Sequence, residues 1–205
     1  MLRFLFVRHG RTPWNVQGRV QGGGGLDEVG RAQAVALGER LSSEPISAIY
    51  ASPALRARQT ATAVARRHGL KVRQRSLLRD MDYGKIGGAL LSDAEARDPD
   101  LVERWRTRPD TVQFEGGDSL EDLRRRIQRF IRETVTAHGS GTVLAATHDS
   151  PVRVVASLAL DIDDSHHMQP EMRVPLASLT VLEVDGGLMH LALRHDEAHL
   201  EGIVA

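Results

Sequence analysis

Three short apolar runs constrain this chain more than anything else in it: Leu2 to Val7, Ile46 to Ala51 and Thr142 to Ala146. Each is nearly continuous rather than alternating, as suits a strand buried on both faces. Each stops abruptly, at Arg8-His9-Gly10, at Ser52-Pro53 and at Thr147-His148-Asp149. Helical periodicity fills the intervals, so the pattern predicts an α/β fold with a mostly parallel central sheet. In such a sheet ligands collect at the carboxyl ends of the strands, and the polar stops mark a candidate site.

His9 is a nucleophile by type if something beside it holds an electrophile. The guanidinium of Arg8 offers a planar fork suited to phosphate. Taken alone, the tripeptide also reads as a strand end turning through glycine with two solvated side chains. The following loop, Arg11 to Gly25, carries Pro13, Asn15 and four consecutive glycines, Gly22 to Gly25. Those glycines permit a backbone nest for an anion, and a surface loop accounts for them equally well.

From Gly30 to Leu41, Ala34, Leu37 and Leu41 recur at helical spacing, and Pro45 closes the segment. Ser52-Pro53 reads as an N-cap and first-turn proline. The helix it opens has a small-residue face of Ala54, Ala57, Ala61, Val64 and Ala65. Arg56 falls in its first turn, off that face, where free N–H groups favour an anion. Val72 to Leu77 is a weaker strand, and one helix is expected over Ser92 to Arg106. The strongest periodicity runs from Ser119 to Ala137, with Leu120, Leu123, Ile127, Phe130, Ile131 and Val135 on one face. Asp118 with Glu121 fits a capping box before it. Ser150-Pro151 repeats the cap-and-proline device, with Arg153 in the first turn. Leu176 to Val184 and Leu188 to Leu193 read as a hairpin around Asp185-Gly186-Gly187.

Taken in order, Arg8-His9-Gly10 with Asn15, Ser52-Pro53-Ala54-Leu55-Arg56-Ala57 and the strand-terminal His148 resemble the motifs of the histidine phosphatase superfamily. The resemblance is to its phosphoglycerate-mutase-like branch and covers nearly the whole chain. It implies a three-layer α/β/α sandwich, one domain over 1–205 and a cap-like insertion around 85–117 in which Trp105 and Arg106 lie. It also implies metal-independent, cofactor-free hydrolysis of a small phosphorylated metabolite through a phosphohistidine on His9. Arg8, Asn15, Arg56 and Arg153 become phosphate-binding residues, and His148 a donor to the transferring oxygens. Leu78-Arg79-Asp80-Met81-Asp82-Tyr83-Gly84 is similar to the segment bearing the family's proton donor, with Asp80 one methylene shorter than the usual Glu. Asp149 stands where the branch normally has Gly, and a His-Asp pair supplies the proton donor in the acid-phosphatase-like branch. Asp80 and Asp149 are therefore rivals.

Lys+Arg and Asp+Glu both total 27, so no net field draws the chain to nucleic acid or membrane. Arg58, Arg66, Arg67, Arg124, Arg125, Arg129 and Arg132 read as solvated helix faces. The absence of cysteine excludes disulfides, thiolate metal sites and a cysteine nucleophile. The first apolar run is too short for a signal peptide or a membrane span, and the expectation is a cytoplasmic protein. Its partner would be a small phosphorylated substrate; a homodimer is compatible with the sequence but not indicated by it. His166-His167 and His195 with His199 read as surface histidines rather than metal ligands, and the role of Ser178 is open. Two other functions compete. A phosphoglycerate mutase would use the same phosphohistidine, but Arg106-Thr107 stands where paired arginines are expected. A non-catalytic phospho-ligand binder would explain Asp in place of Glu at 80 and 118.

Overall fold

The computed structural model describes residues 1–20 and 23–203, so Gly22 of the glycine run lies outside the described residues. In chain order the strands are β1 (Leu2–Arg8), β2 (Ile46–Ala51), β3 (Val72–Gln74), β4 (Gly141–Thr147), β5 (Leu179–Asp185) and β6 (Leu188–Asp196). They form one sheet in the order β3-β2-β4-β1-β5-β6. β1, β2, β3 and β4 are mutually parallel, and β5 joins β1 antiparallel before turning back into β6. The helices are α1 (Pro13–Val16), α2 (Glu28–Arg40), α3 (Leu55–His68), α4 (Leu91–Arg97), α5 (Pro99–Thr107), α6 (Leu120–His138) and α7 (Asp149–Leu160). Among the described residues no helix is long and apolar enough to cross a membrane.

Alternation along β1 divides the core between the two faces of the sheet. Phe4 and Phe6 pack with Ile127 and Phe130 of α6 and with Val152 and Val155 of α7. Leu5 and Val7 meet Leu37 of α2 and Val64 and Ala65 of α3 on the opposite face. Three layers result, as the resemblance implies. Burying each such side chain contributes about 1.5–3 kcal/mol, and the run from Phe4 to Val7 is fully buried.

Register brings the polar strand ends together. Arg8 pairs with Thr147 and Ala51 with Ala146, so β1, β2 and β4 finish nearly flush. The next residues, His9, Ser52 and His148, leave the sheet side by side. Close backbone approach holds the turn after β1. A Cβ on Gly30 would stand 2.0 Å from the Arg11 carbonyl oxygen, and one on Gly10 would stand 2.6 Å from that of Gly30.

Several local expectations change. The helix expected over Ser92 to Arg106 is two helices, because Pro99 interrupts it and Asp98 accepts from the Leu101 N–H to start α5. β3 stops at Gln74, and Ser76–Leu78 form a 3₁₀ turn. The capping box of α6 pairs Ser119 with Asp122, one residue later than Asp118 with Glu121. Neither Ser52 nor Ser150 caps a helix: the cap residues are Ala54 and His148, with no side-chain hydrogen bond. α7 therefore begins at Asp149 and places Arg153 in its second turn. β5 begins at Leu179, leaving 176–178 as a connecting turn. His167, expected at the surface, is fully buried against Trp105, with ring centroids 5.7 Å apart.

Candidate active site

The flush strand ends form the floor of a two-lobed cavity. Its narrow lobe, about 180 Å³, is lined by Arg8, His9, Asn15 and Asp149 among others. Its wider lobe, about 490 Å³, is lined by Ser52, Arg79, Asp82, Asp118 and His148 among others. Gly23, Arg56, Asp80 and Tyr83 line both, so the two lobes adjoin along these residues. Gly24 joins the wide lobe.

His9 and His148 face each other with ring centroids 5.2 Å apart. Between them lies the guanidinium of Arg56, whose Nε–H donates to His9 Nε2 at 3.1 Å. Its Nη2 stands 3.0 Å from His148 Nδ1. An arginine has only donors, so both imidazole nitrogens must accept, and each ring carries its proton on the other nitrogen. His9 Nδ1–H then donates to the Gly10 carbonyl at 2.8 Å. His148 Nε2–H donates to Ser52 Oγ at 2.8 Å. Thr60 couples this chain to the loop: its Oγ accepts from the Gly10 N–H at 3.1 Å and donates to the Arg56 carbonyl at 2.9 Å.

Both histidines are held neutral. Burial pushes the His9 pKa well below the ordinary value, and the positive charges of Arg56 and Arg8 push it further. Burial does the same to His148, assisted by His9 and Arg56. The two carboxyls are driven apart. Burial raises Asp80 to about 6 against the opposing pull of Arg56, and Asp149 nearby adds to the rise. Burial also opposes ionisation of Asp149, but Arg8 and Arg153 outweigh it and hold that group below the usual carboxylate range. Asp80 Oδ2 lies 3.7 Å from His148 Nδ1. Asp149 Oδ1 lies 3.6 Å from Arg8 Nη1, while its Oδ2 accepts from Arg153 Nε at 3.0 Å.

Of the residues singled out from sequence, His9, Asp80, Asp149, Arg8, Asn15 and Arg56 share the narrow lobe, and His148 closes on it from the wide one. Arg8 Nη1 donates to the Val174 carbonyl, and its Nε is buried without a hydrogen-bond partner among the described residues. Asn15 is N3 of α1, and its Oδ1 accepts from the Thr12 N–H at 3.0 Å, leaving its NH₂ to serve the cavity. Arg153 lines neither lobe: its guanidinium is spent on Asp149 and on the His167 carbonyl, 2.6 Å away. Trp105 packs against Tyr83 and Phe114 rather than lining the cavity, and Arg106 pairs with Glu95 on the surface. Ser178 Oγ closes a local turn on the Pro175 carbonyl at 2.8 Å. Among the described residues no group of three or more His, Asp or Glu side chains is gathered to hold a metal.

Four contributors have no strong signal in the sequence. Ser52 reads as a helix cap, yet its hydroxyl meets His148. Arg126 falls among solvated arginines but turns inward, donating to the carbonyls of Arg79 and Asp80 and pairing with Asp118 at 2.9 Å. Tyr83 spans both lobes, its hydroxyl 3.1 Å from Ser150 Oγ. Arg19 stacks over Trp14 and donates to the Gly88 carbonyl at 2.8 Å, tying the first loop to the insertion at the cavity mouth.

The chain is similar to known proteins over most of its length. The model of the histidine phosphatase superfamily (branch 1) matches residues 4–197. Phosphoserine phosphatase 1 of Hydrogenobacter thermophilus is 33% identical over 80% of this chain and 78% of its own. A 2,3-bisphosphoglycerate-dependent phosphoglycerate mutase of Brucella anthropi is 34% identical over 77% of this chain and 80% of its own. The solved structure of Bacillus stearothermophilus YhfR superposes with a TM-score of 0.92 at 30% identity, covering 98% of this chain and all of that one. A match across almost every element, with the strand-end histidines and Arg56 gathered at one cavity, means that the chain belongs to the histidine phosphatase superfamily, branch 1.

Proposed function

We propose that this phosphoric monoester hydrolase cleaves small phosphorylated metabolites through a phosphohistidine on His9. In this reading Asp80 is the proton donor, and Arg8, Arg56, Asn15 and His148 surround the phosphoryl oxygens. The observation that carries it is the arrangement of the narrow lobe, where His9 and Asp80 share the lining with Arg8, Asn15 and Arg56. A neutral imidazole, tied by Nδ1–H to the Gly10 carbonyl, directs the Nε2 lone pair inward beside a carboxyl whose pKa is about 6.

Phosphoryl transfer asks a protein mainly for positioning and charge neutralisation. As the substrate enters, the Arg56 N–H that caps His9 Nε2 is redirected to phosphoryl oxygens. Nε2 then forms its bond to phosphorus as the ester P–O bond breaks, and the Asp80 carboxyl gives its proton to the departing alkoxide. In the second half Asp80, now a carboxylate, takes a proton from water while that water's oxygen bonds to phosphorus and the P–N bond breaks. His9 and Asp80 return to their starting forms. The depressed pKa of Asp149 supports ionised Asp149 as an anchor for Arg8 and favours Asp80 as the acid. The ground for preferring Asp80 is electrostatic rather than positional.

The relative from Hydrogenobacter favours phosphoserine as a first substrate to try. The wide lobe also suits a zwitterionic leaving group, since Arg79, Asp82 and Asp118 line it. The cysteine-free composition supports a cytoplasmic setting. The test is turnover of phosphoserine and of a chromogenic phosphate ester, with trapping of an acid-labile, base-stable phosphoenzyme. His9→Ala must abolish both turnover and trapping, and undiminished turnover would eliminate the reading. The mutase relative motivates a second reading, in which the phosphoryl group returns to a phosphoglycerate. The engagement of Arg106 with Glu95 argues against it, and a coupled mutase assay primed with bisphosphoglycerate separates the two.

A further inference from the structure

Ser52 is fully buried at the end of β2, where its N–H donates to the Ala146 carbonyl at 2.9 Å and fixes it against β4. Its Oγ accepts from the Ala54 N–H at 3.3 Å and lies 2.8 Å from His148 Nε2. Arg56 requires His148 Nδ1 to accept, so Nε2 holds the ring proton and gives it to Ser52. When a phosphoryl oxygen replaces the arginine, two lone pairs would face each other. Nδ1 can donate to that oxygen only after taking up a proton.

We propose that Ser52 is a positioning residue for His148: by holding Nε2–H it makes Nδ1 the one nitrogen that exchanges a proton with the bound phosphoryl group. The proposal rests on the phosphatase reading above for its catalytic consequence. The step is a single transfer. The P–OH proton of a phosphomonoester monoanion passes to Nδ1, leaving an imidazolium facing a dianion, and it returns when phosphate leaves. Every group facing His148 bears on this balance: His9 and Arg8 from the end of β1, Arg56 from α3, Asp80 from the segment after β3, and Arg126 from α6. The cations and the burial oppose an imidazolium. The dianion, the Asp80 carboxyl and the Ser52 acceptor favour it.

Ring ¹⁵N shifts of histidine-labelled protein read the tautomer directly, with His148 picked out from the nine histidines by its loss in His148→Gln. In the free protein His148 is expected as the neutral Nε2–H form, and with saturating vanadate as the imidazolium. Ser52→Ala should keep the Nε2–H form when free, because Arg56 still donates to Nδ1, and should weaken protonation with vanadate. It should also lower kcat by roughly ten- to a hundredfold, by analogy with loss of the hydrogen-bond partner of a metal-ligating histidine, with little change in KM. Ser52→Thr, which keeps the hydroxyl, should restore the signature and most of kcat. If Ser52→Ala does not fold, Ser52→Cys supplies a weak acceptor and is judged by the same readouts. Full imidazolium with vanadate and wild-type kcat in Ser52→Ala or Ser52→Cys would overturn the proposal, as would Nδ1–H in the free wild type. Because the tautomer is read without turnover, an inactive wild type would sink the phosphatase reading and leave this measurement decisive on its own.

Discussion

The Nε–H of Arg56 rests on the lone pair of His9 Nε2 at 3.1 Å, so the cation that would bind phosphate also covers the proposed nucleophile. Arg56→Lys keeps a charge but cannot reach His9 and His148 together in one plane. We expect kcat/KM for a phosphomonoester to fall by about 10²–10³-fold. Arg56→Met removes the charge altogether, and the pKa of His9 should then rise toward its ordinary value, because a cation that opposes its protonation is gone. Kinetics and an NMR titration of His9 check the two halves. An unmoved His9 in Arg56→Met would mean that burial alone sets its charge.

Asp80 and Asp149 can be told apart through the leaving group. An alkoxide needs a proton as it departs, whereas a nitrophenolate does not. Asp80→Asn should therefore slow alkyl phosphates about 10²–10⁴-fold and spare the phosphorylation half-reaction of p-nitrophenyl phosphate. Asp149→Asn should slow both ester types alike, because it loosens Arg8. Burst kinetics over a series of esters measures the difference, and a steeper leaving-group dependence in Asp149→Asn would reverse the assignment.

The same carboxyl should make stability depend on pH. The folded pKa of Asp80, about 6, lies above its ordinary value of 3.8. The folded state therefore holds this proton more tightly than the unfolded state does. That contribution is complete below about pH 4 and is lost as pH rises through about 6. Asp80→Asn mimics the protonated form, so it should match wild type near pH 4 and exceed it by up to about 3 kcal/mol near pH 8. Denaturant unfolding at the two pH values checks this, and a gap independent of pH would refute it.

Gly30→Ala tests the turn that carries His9 into the cavity. Its Cβ would meet the Arg11 carbonyl oxygen at 2.0 Å, where backbone must yield. A cost of about 1–3 kcal/mol is expected, together with a loss of turnover out of proportion to it, because the segment displaced includes Gly10. Thermal unfolding and kcat measured on the folded fraction separate the two effects.

The long-range plan was legible because it depends on patterns that repeat. Continuous apolar runs specify buried parallel strands, and runs that stop on polar residues specify where a site opens. The strand stops mark His9 and His148, and the order of motifs adds Arg56 from the first turn of α3. What escaped was local competition among hydrogen bonds. Ser52 and Ser150 have the composition of helix caps, but their hydroxyls serve His148 and Tyr83, and the backbone begins each helix elsewhere. Arg126 looks like its solvated neighbours because periodicity gives it no distinguishing mark. The carbonyls of Arg79 and Asp80 and the carboxylate of Asp118 draw it inward. Arg153 fits the motif spacing after the strand-end histidine, yet Asp149, one residue beyond that histidine, holds its guanidinium away from the cavity.

The two lobes meet at Gly23, Arg56, Asp80 and Tyr83, while Arg8, His9 and Asn15 belong to the narrow one and Arg79, Asp82 and Asp118 to the wide one. His148 lines the wide lobe, and Arg56 and Asp80 stand on the border, so a molecule seated among the outer charges would lie against the same groups that face His9.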